Sequence, residues 1–332
     1  MYRIPAGSLV LPTSDADLEY LLKSHRSHVA RDARQLDPRL RTRITSIVPT
    51  TNAKIHRDVA ARARNFGASV VVVGHCDDPD VSPSIVIPTG SDIALLSTDD
   101  VSDAGDVVVV GDVHNCHHTL SSLLEELGVG DTQDGVAPLV VFVGDLIDKG
   151  GSGPADALAT LDLVSDLVRT GRAVSLRGNH DHMLGRRLAG KSSVTDYAAP
   201  LVDAVNGTDE MESYLKFLNS LPLAVTLSDD MVAVHANYSP KLHGQAHPRS
   251  RHHMEQVCCF GAPARDSFDG TIVHGHEPEP SPAVVTDGHT IRINVDTGAC
   301  EGNALTGYRV GHNPHSPEGF VSVPTDPRDL PT

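Results

Sequence analysis

The chain has 332 residues, a formal net charge of −16, 39% hydrophobic and only 4% aromatic residues, which fits a folded chain large enough for one large domain or two unequal ones. No run of eighteen apolar residues occurs and the N-terminus, MYRIPAGSLVLPTSDAD, lacks a basic-then-apolar leader, so a cytoplasmic protein without membrane partners is expected. The acidic balance argues against a broad nucleic-acid-binding face, and Cys76, Cys116, Cys258, Cys259 and Cys300, without CxxC spacing, argue against a disulfide framework or a structural zinc site.

In chain order, residues 1–98 read as a small α/β unit: strand-like ITSIV at 44–48, helix-like KIHRDVAARARNF at 54–66 closed by Gly67, and strand-like ASVVVV at 68–73. The polar, acidic STDDVSDAGD at 97–106 marks a boundary. VVVV at 107–110 predicts a buried strand, followed by a helix in HHTLSSLLEELG whose Leu120, Leu123, Leu124 and Leu127 share one face. His117 and His118 are expected as surface residues of its first turn. LVVFV at 139–143 is the next strand, and Pro154 and Gly171 bracket the next helix. AVSL at 173–176, MVAV at 231–234 and TIV at 271–273 continue the strands, and residues 313–332 read as a C-terminal tail. The expected architecture of 105–312 is α/β, a βαβαβ run followed by further strands.

Five of these strands end in side chains that bind metal or move protons: GDVH at 111–114, GDLIDKG at 144–150, RGNHD at 177–181, VHAN at 234–237 and HGHEP at 274–278. A single Asp or His after a strand is ordinarily a turn residue. Five such segments in order are better explained by a shared task, because ligands of α/β sheets collect beyond the carboxyl ends of the strands. Asp112, His114, Asp145, Asn179, His235 and His276 form an O/N donor set, and a carboxylate can bridge two divalent ions in a way that suits hydrolysis of a phosphate ester.

These segments resemble the signature of the calcineurin-like metallophosphoesterases, specifically the phosphoprotein-phosphatase branch, with its GDxHG, GDxxDRG, GNH[DE], HGG or HAG, and GHTP pattern. INVDTGACEGNALTGYRV, after the last of them, is similar to a stretch of bacterial members. The resemblance implies a two-sheet sandwich flanked by helices, two divalent metals (Mn²⁺ first, with Fe, Zn, Ni or Mg as alternatives), and hydrolysis of phosphate monoesters by a water held between the metals. It implies one metal on Asp112, His114 and Asp145, and a second on Asp145, Asn179, His235 and His276, with Asp145 shared. His180 matches the family's acid/base histidine and Asp148 the carboxylate that orients it. Asp181 is expected to cap the helix after RGN, and Asp296 to support the site from behind.

The chain departs from the pattern at three positions. Lys149 replaces the family's phosphate-gripping arginine, Asn115 a glycine, and Glu277 a threonine. Lysine offers a flexible point charge in place of a planar fork. Substrate-binding candidates are therefore Lys149, Arg177, Arg249 and Arg251, the last two in a His-rich segment read as a loop. Arg186, Arg187, Lys191 and Lys241 form further basic clusters, read either as solvated surface or as a second phosphate grip. His274 is expected to pack under the site rather than to reach substrate.

Phosphoprotein, nucleotide and RNA-end substrates all remain open. A bis(5′-nucleosyl)-tetraphosphatase-like activity is the alternative, disfavoured because Tyr238 is the one obvious stacking residue near the ligands. A catalytically impaired phosphate-binding regulator is the other. IPAGSLVLP and the 47–73 stretch resemble the kinase module of bacterial polynucleotide kinase-phosphatases, but no GxxxxGK[ST] follows Leu11, so residues 1–98 are a degenerate remnant or, the preferred reading, a scaffold or interaction domain. RGNHDHMLGRRLAGK and RSRHHMEQVCCFGAP resemble the phosphatase module of the same proteins.

Overall fold

The computed structural model describes residues 2–4, 9–24, 30, 46–48, 51–65, 70–73, 81, 85–87, 93–95, 101–102, 106–129, 137–151, 153–191, 199–241, 248–262 and 267–330. Gly67, Cys76, most of the 97–106 linker and the side chains of Arg249 and Arg251 lie outside them. The chain divides into two compact units, essentially 1–97 and 98–332.

In the first unit, β1 (Tyr2–Ile4), β2 (Leu9–Pro12), α1 (Asp15–Ser24), β3 (Ser46–Ile47), α2 (Ala53–Asn65), β4 (Val70–Val73), β5 (Ile85–Ile87) and β6 (Ile93–Leu95) follow one another. A parallel sheet of order β3-β2-β4-β5 is accompanied by a β1-β6 parallel pair. Leu9, Leu11, Val59, Ala60, Ala63, Val70 and Val72 share one apolar core. Only Thr13 and Ser14 separate β2 from α1, too tight a turn to wrap a nucleotide phosphate as a glycine-rich loop does.

The second unit contains β7 (Val107–Val110), α3 (His117–Glu126), β8 (Leu139–Phe142), α4 (Pro154–Arg169), β9 (Ala173–Ser175), α5 (Asn179–Leu188), α6 (Ala199–Val205), α7 (Asp209–Ser220), β10 (Ala224–Ser228), β11 (Met231–Val234), α8 (Pro248–Phe260), β12 (Gly270–His274), β13 (Ala283–Asp287), β14 (Thr290–Asn294), β15 (Ala304–Arg309) and β16 (Phe320–Pro324). They build two five-stranded sheets, β16-β15-β7-β8-β9 and β10-β11-β12-β14-β13. Two sheets accompanied by helices agree with the expected α/β architecture. Strands β7, β8 and β9 are parallel, as are β11, β12 and β14, so each sheet aims three carboxyl ends the same way.

The apolar runs explain these elements. Every residue of β7 and β8 is buried, as a parallel strand covered on both faces requires. Helix α3 buries Leu120, Leu123 and Leu124, and α4 buries Ala157, Leu161, Val164 and Leu167 at helical spacing. Each such leucine contributes roughly 2 kcal/mol.

Two expectations fail here. The 313–332 stretch is no tail: β16 adds antiparallel to β15, and Asp329 is fully buried, accepting hydrogen bonds from the backbone N–H of His118 (3.1 Å) and Thr119 (2.7 Å) and from the Thr119 hydroxyl (2.6 Å). It thereby satisfies orphan donors in the first turn of α3. The segment read as a His-rich loop is helical from Pro248 onward, because proline is well suited to a first helical position.

Candidate metal centre

The loops after β7, β8, β9, β11, β12 and β14 bring the candidate ligands to one place. Asp112, His114, Asp145, His235, Asp148 and His180 are all buried. Asp112, His114 and Asp145 offer ligand atoms within 4.8 Å of one another, and so do Asp145, His235 and His276. Asp145 belongs to both groups. Within the first, His114 Nε2 lies 3.6 Å from an Asp145 carboxylate oxygen and 3.9 Å from one of Asp112. In the second, His235 Nε2 is 3.5 Å from Asp145 Oδ2, 2.9 Å from Asn179 Oδ1 and 3.1 Å from His276 Nδ1, and His276 Nδ1 is 3.1 Å from Asn179 Oδ1.

These atoms fit divalent ions. Two donors bound at about 2.1 Å and at right angles to one another sit about 3 Å apart, the spacing seen among Asn179, His235 and His276. His114 directs Nδ1 to the Ile147 carbonyl at 3.0 Å, which leaves Nε2 as a lone pair facing the carboxylates. Burial, reinforced by the charges of Asp296 and Asp145, pushes the Asp112 carboxyl far up, and burial raises Asp145 to about 7. Burial likewise holds His114 and His235 well below the ordinary imidazole value. Crowded carboxylates beside neutral imidazoles are a site short of positive charge. The Lys149 ammonium comes within 3.2 Å of His114 Nε2.

Local backbone serves the same end. His114, Asn115, Asp145, Asp148, Lys149 and His276 all have positive φ, 47° to 76°, a costly conformation for residues with a side chain that clusters at functional sites. Asn115 tolerates it best, and its amide accepts from the Asp148 N–H (3.1 Å) and donates to the Gly150 carbonyl (2.9 Å). The departure from glycine therefore pins the 148–150 turn. A Cβ on Gly178 or Gly275 would overlap a carboxylate oxygen of Asp145 or Asp112.

His180 Nδ1 lies 2.8 Å from Asp148 Oδ2, and its Nε2 lies 4.0 Å from Asp145 Oδ2. Burial lowers the basicity of this imidazole, but the Asp148 hydrogen bond and the Asp145 charge outweigh it and raise its pKa. Asp181 caps α5 and does more, accepting from the N–H groups of Gly178 (2.9 Å), Asp145 (2.8 Å) and Leu146 (3.0 Å). It ties the β8 and β9 loops together. Asp296 is buried, accepts from the Gly298 N–H, and is raised to about 6 by burial.

Other candidates fall elsewhere. The Arg177 guanidinium is buried, 3.5 Å from Glu255 and donating to the Asn219 carbonyl at 2.8 Å; it braces helices instead of facing substrate. Tyr238 packs edge-on against Phe268 in a core with Met254, Cys258 and Ile272, which removes it as a stacking platform. Arg186, Lys191 and Lys241 are exposed and Arg187 half-buried. His274 is buried, its Nδ1 2.9 Å from the Gly275 carbonyl. Asp329, Asn115 and the full reach of Asp181 are what the sequence reading missed; Asn115 alone had a local signal, a turn-forming residue where the pattern has glycine.

Two helix-flanked sheets whose strand ends share one donor cage define a metallophosphoesterase, a hydrolase. The sequence profile of the calcineurin-like phosphoesterases matches residues 105–312, and the chain belongs to that family. Among curated relatives, a bis(5′-nucleosyl)-tetraphosphatase PrpE [asymmetrical] of Oceanobacillus iheyensis is 29% identical over 239 residues, covering 65% of this chain and 90% of the relative. The protein of that name from Halalkalibacterium halodurans is 29% identical over 249 residues, covering 65% and 93%. A protein serine/threonine phosphatase structure from Saccharomyces cerevisiae has 13% identity and a TM-score of 0.42, covering 69% of this chain and 82% of that one. Among the described residues, no helix is long and apolar enough to cross a membrane.

Proposed function

We infer that this chain hydrolyses bis(5′-nucleosyl) polyphosphates in a metal-dependent reaction, the alternative that the missing aromatic residues had disfavoured. The carrying observation is the cage built around Asp145, which belongs to both ligand groups, read together with the names borne by the curated relatives. Asp112, His114 and Asp145 would hold one ion, and Asp145, Asn179, His235 and His276 the other. Divalent ions there, Mn²⁺ by the O/N character of the donors, would neutralise phosphate charge and make water a nucleophile near neutral pH.

The protein's own groups do the rest. Asp148 accepts from His180 Nδ1–H and so fixes the ring with Nε2 turned toward Asp145. An imidazolium held this way donates its Nε2 proton to the departing phosphate oxygen. Lys149, the exposed member of its loop, neutralises a phosphate oxygen as a single ammonium. Neutral donors at Asn179, His235 and His276 hold a cation without cancelling its charge. Residues 1–98 act in this reading as a scaffold or interaction domain.

Protein stripped with chelator and reloaded with Mn²⁺ should cleave diadenosine tetraphosphate into unequal nucleotides, followed by anion-exchange chromatography. Turnover of simple phosphomonoesters without any cleavage of the dinucleotide would overturn the substrate reading. Metal-loaded protein inert on both would overturn the catalytic one.

A further inference from the structure

Beside the cage lies a cavity of about 340 Å³, within the size range of small-molecule sites, roughly 300–1,000 Å³. Its walls continue directly from the ligands. Ala236 and Asn237 follow His235, Glu277 follows His276, and Gly261 faces the His276 ring so closely that an added Cβ would touch it at 3.6 Å. Behind them stand Arg292 and Asn294 of β14, His274 of β12, and Ala283 and Val285 of β13, with Glu279 at the rim.

The wall chemistry is selective. Arg292 donates to Asn237 Oδ1 at 3.1 Å and Asn294 to the Glu277 carbonyl at 2.6 Å, so the polar groups are held in place before any ligand arrives. Among the described lining residues, the carboxylates of Glu277 and Glu279 stand against the single guanidinium of Arg292. A second phosphate would meet net repulsion there. An uncharged group rich in hydrogen-bond donors would instead find acceptors in both carboxylates, with Ala236, Ala283, Val285 and Gly261 supplying apolar contact. A nucleoside has this character: a ribose diol and amino-bearing base edges to donate, with ring faces to bury.

We propose that this cavity is the subsite for one nucleoside of the substrate and sets the preference for nucleotides over simple phosphate esters. The proposal rests on the dinucleoside polyphosphate reading above. It needs no aromatic platform, since the nucleoside would be held edge-on by carboxylates and lie against the β13–β14 surface.

The test uses Val285→Trp, which adds bulk at a side chain 58% exposed on β13, and Glu279→Gln at the exposed rim. Both positions are open enough for the fold to tolerate the change, which thermal melting verifies. Mn²⁺-loaded protein, the whole 332-residue chain, is assayed on diadenosine tetraphosphate and on p-nitrophenyl phosphate. The ratio of kcat/KM for the dinucleotide to that for the aryl ester should fall about tenfold or more in each variant, mainly through KM, as for loss of ground-state contacts. An unchanged ratio, with the wild type active on the dinucleotide, overturns the subsite alone. A wild type inert on the dinucleotide but active on the aryl ester overturns the functional reading and the subsite with it. Lost activity on a lysine-flanked phosphopeptide, with dinucleotide cleavage intact, overturns the nucleoside as occupant and assigns the cavity to basic peptide.

Discussion

His180 Nδ1 and Asp148 Oδ2 are 2.8 Å apart, both buried, although thirty-two residues separate them. The Asp148 turn reaches this position through a left-handed backbone, φ 75°, held by Asn115. Asp148→Asn would remove the carboxylate charge that favours the imidazolium, leaving a neutral ring that is a far weaker acid at Nε2. We expect kcat to fall about 10²–10⁴-fold, the range for loss of acid–base assistance, with bound metal unchanged. Kinetics alongside metal analysis by mass spectrometry checks this.

Asp145→Asn removes the charge both ligand groups share. Bound metal should drop below two ions per chain, and turnover should fall about 10³-fold or more, since metal activation and charge neutralisation are lost together. Two retained ions with near-native turnover would refute Asp145 as the bridge.

Much of this cage was legible beforehand because of where its members sit. Buried parallel strands leave uninterrupted runs such as VVVV and LVVFV, and the polar residue ending such a run must lie at the sheet's carboxyl edge. What was illegible depends on distant partners. Nothing local says that Asp329 closes the first turn of α3, a contact spanning about two hundred residues, or that Arg177 pairs with Glu255 instead of substrate. The proximity of Tyr238 to His235 in sequence likewise says nothing of Phe268, against which its ring packs edge-on. Helix α8 was hidden by a polar, histidine-rich sequence without a clear apolar stripe.

Lys149→Arg tests the proposed phosphate grip. A planar fork can hold two phosphate oxygens where an ammonium holds one, so KM for diadenosine tetraphosphate should fall a few-fold, about 2- to 5-fold by that difference in hydrogen bonding. Lys149→Ala should raise it about tenfold or more. Steady-state kinetics distinguishes these outcomes from an unchanged KM, which would place the grip elsewhere.

Stability should respond to pH through His182, outside the ligand cage and packed edge-on against Phe260 at 5.7 Å. Burial, the largest influence, lowers its pKa below 6.5 and outweighs the Glu255 carboxylate, which raises it, while the Arg177 and Arg186 charges add to the lowering. The unfolded chain therefore binds the proton more readily. This contribution is intact above the unfolded pKa near 6.5 and is lost as pH falls from there through the lower folded value. His182→Phe keeps the apolar contact and removes the titration, so its denaturation midpoint should decline less steeply between pH 7 and 5 than the wild type's.

Asp329 offers a purely structural test. Its carboxylate accepts from two backbone N–H groups and the Thr119 hydroxyl at the start of α3, while its backbone carbonyl accepts from the Gly151 N–H at 2.6 Å, beside the turn that carries Asp148 and Lys149. Asp329→Ala removes the cap and leaves the carbonyl, so the loss should be near the upper end for a helix cap, about 2 kcal/mol, measured by urea denaturation. Asp329→Asn, which retains one acceptor oxygen, should recover part of it. Because the Gly151 contact uses backbone alone, kcat should change little in either variant under conditions where the protein stays folded. A large kcat loss at native stability would mean that the carboxylate, and not the main chain, positions the Asp148 turn.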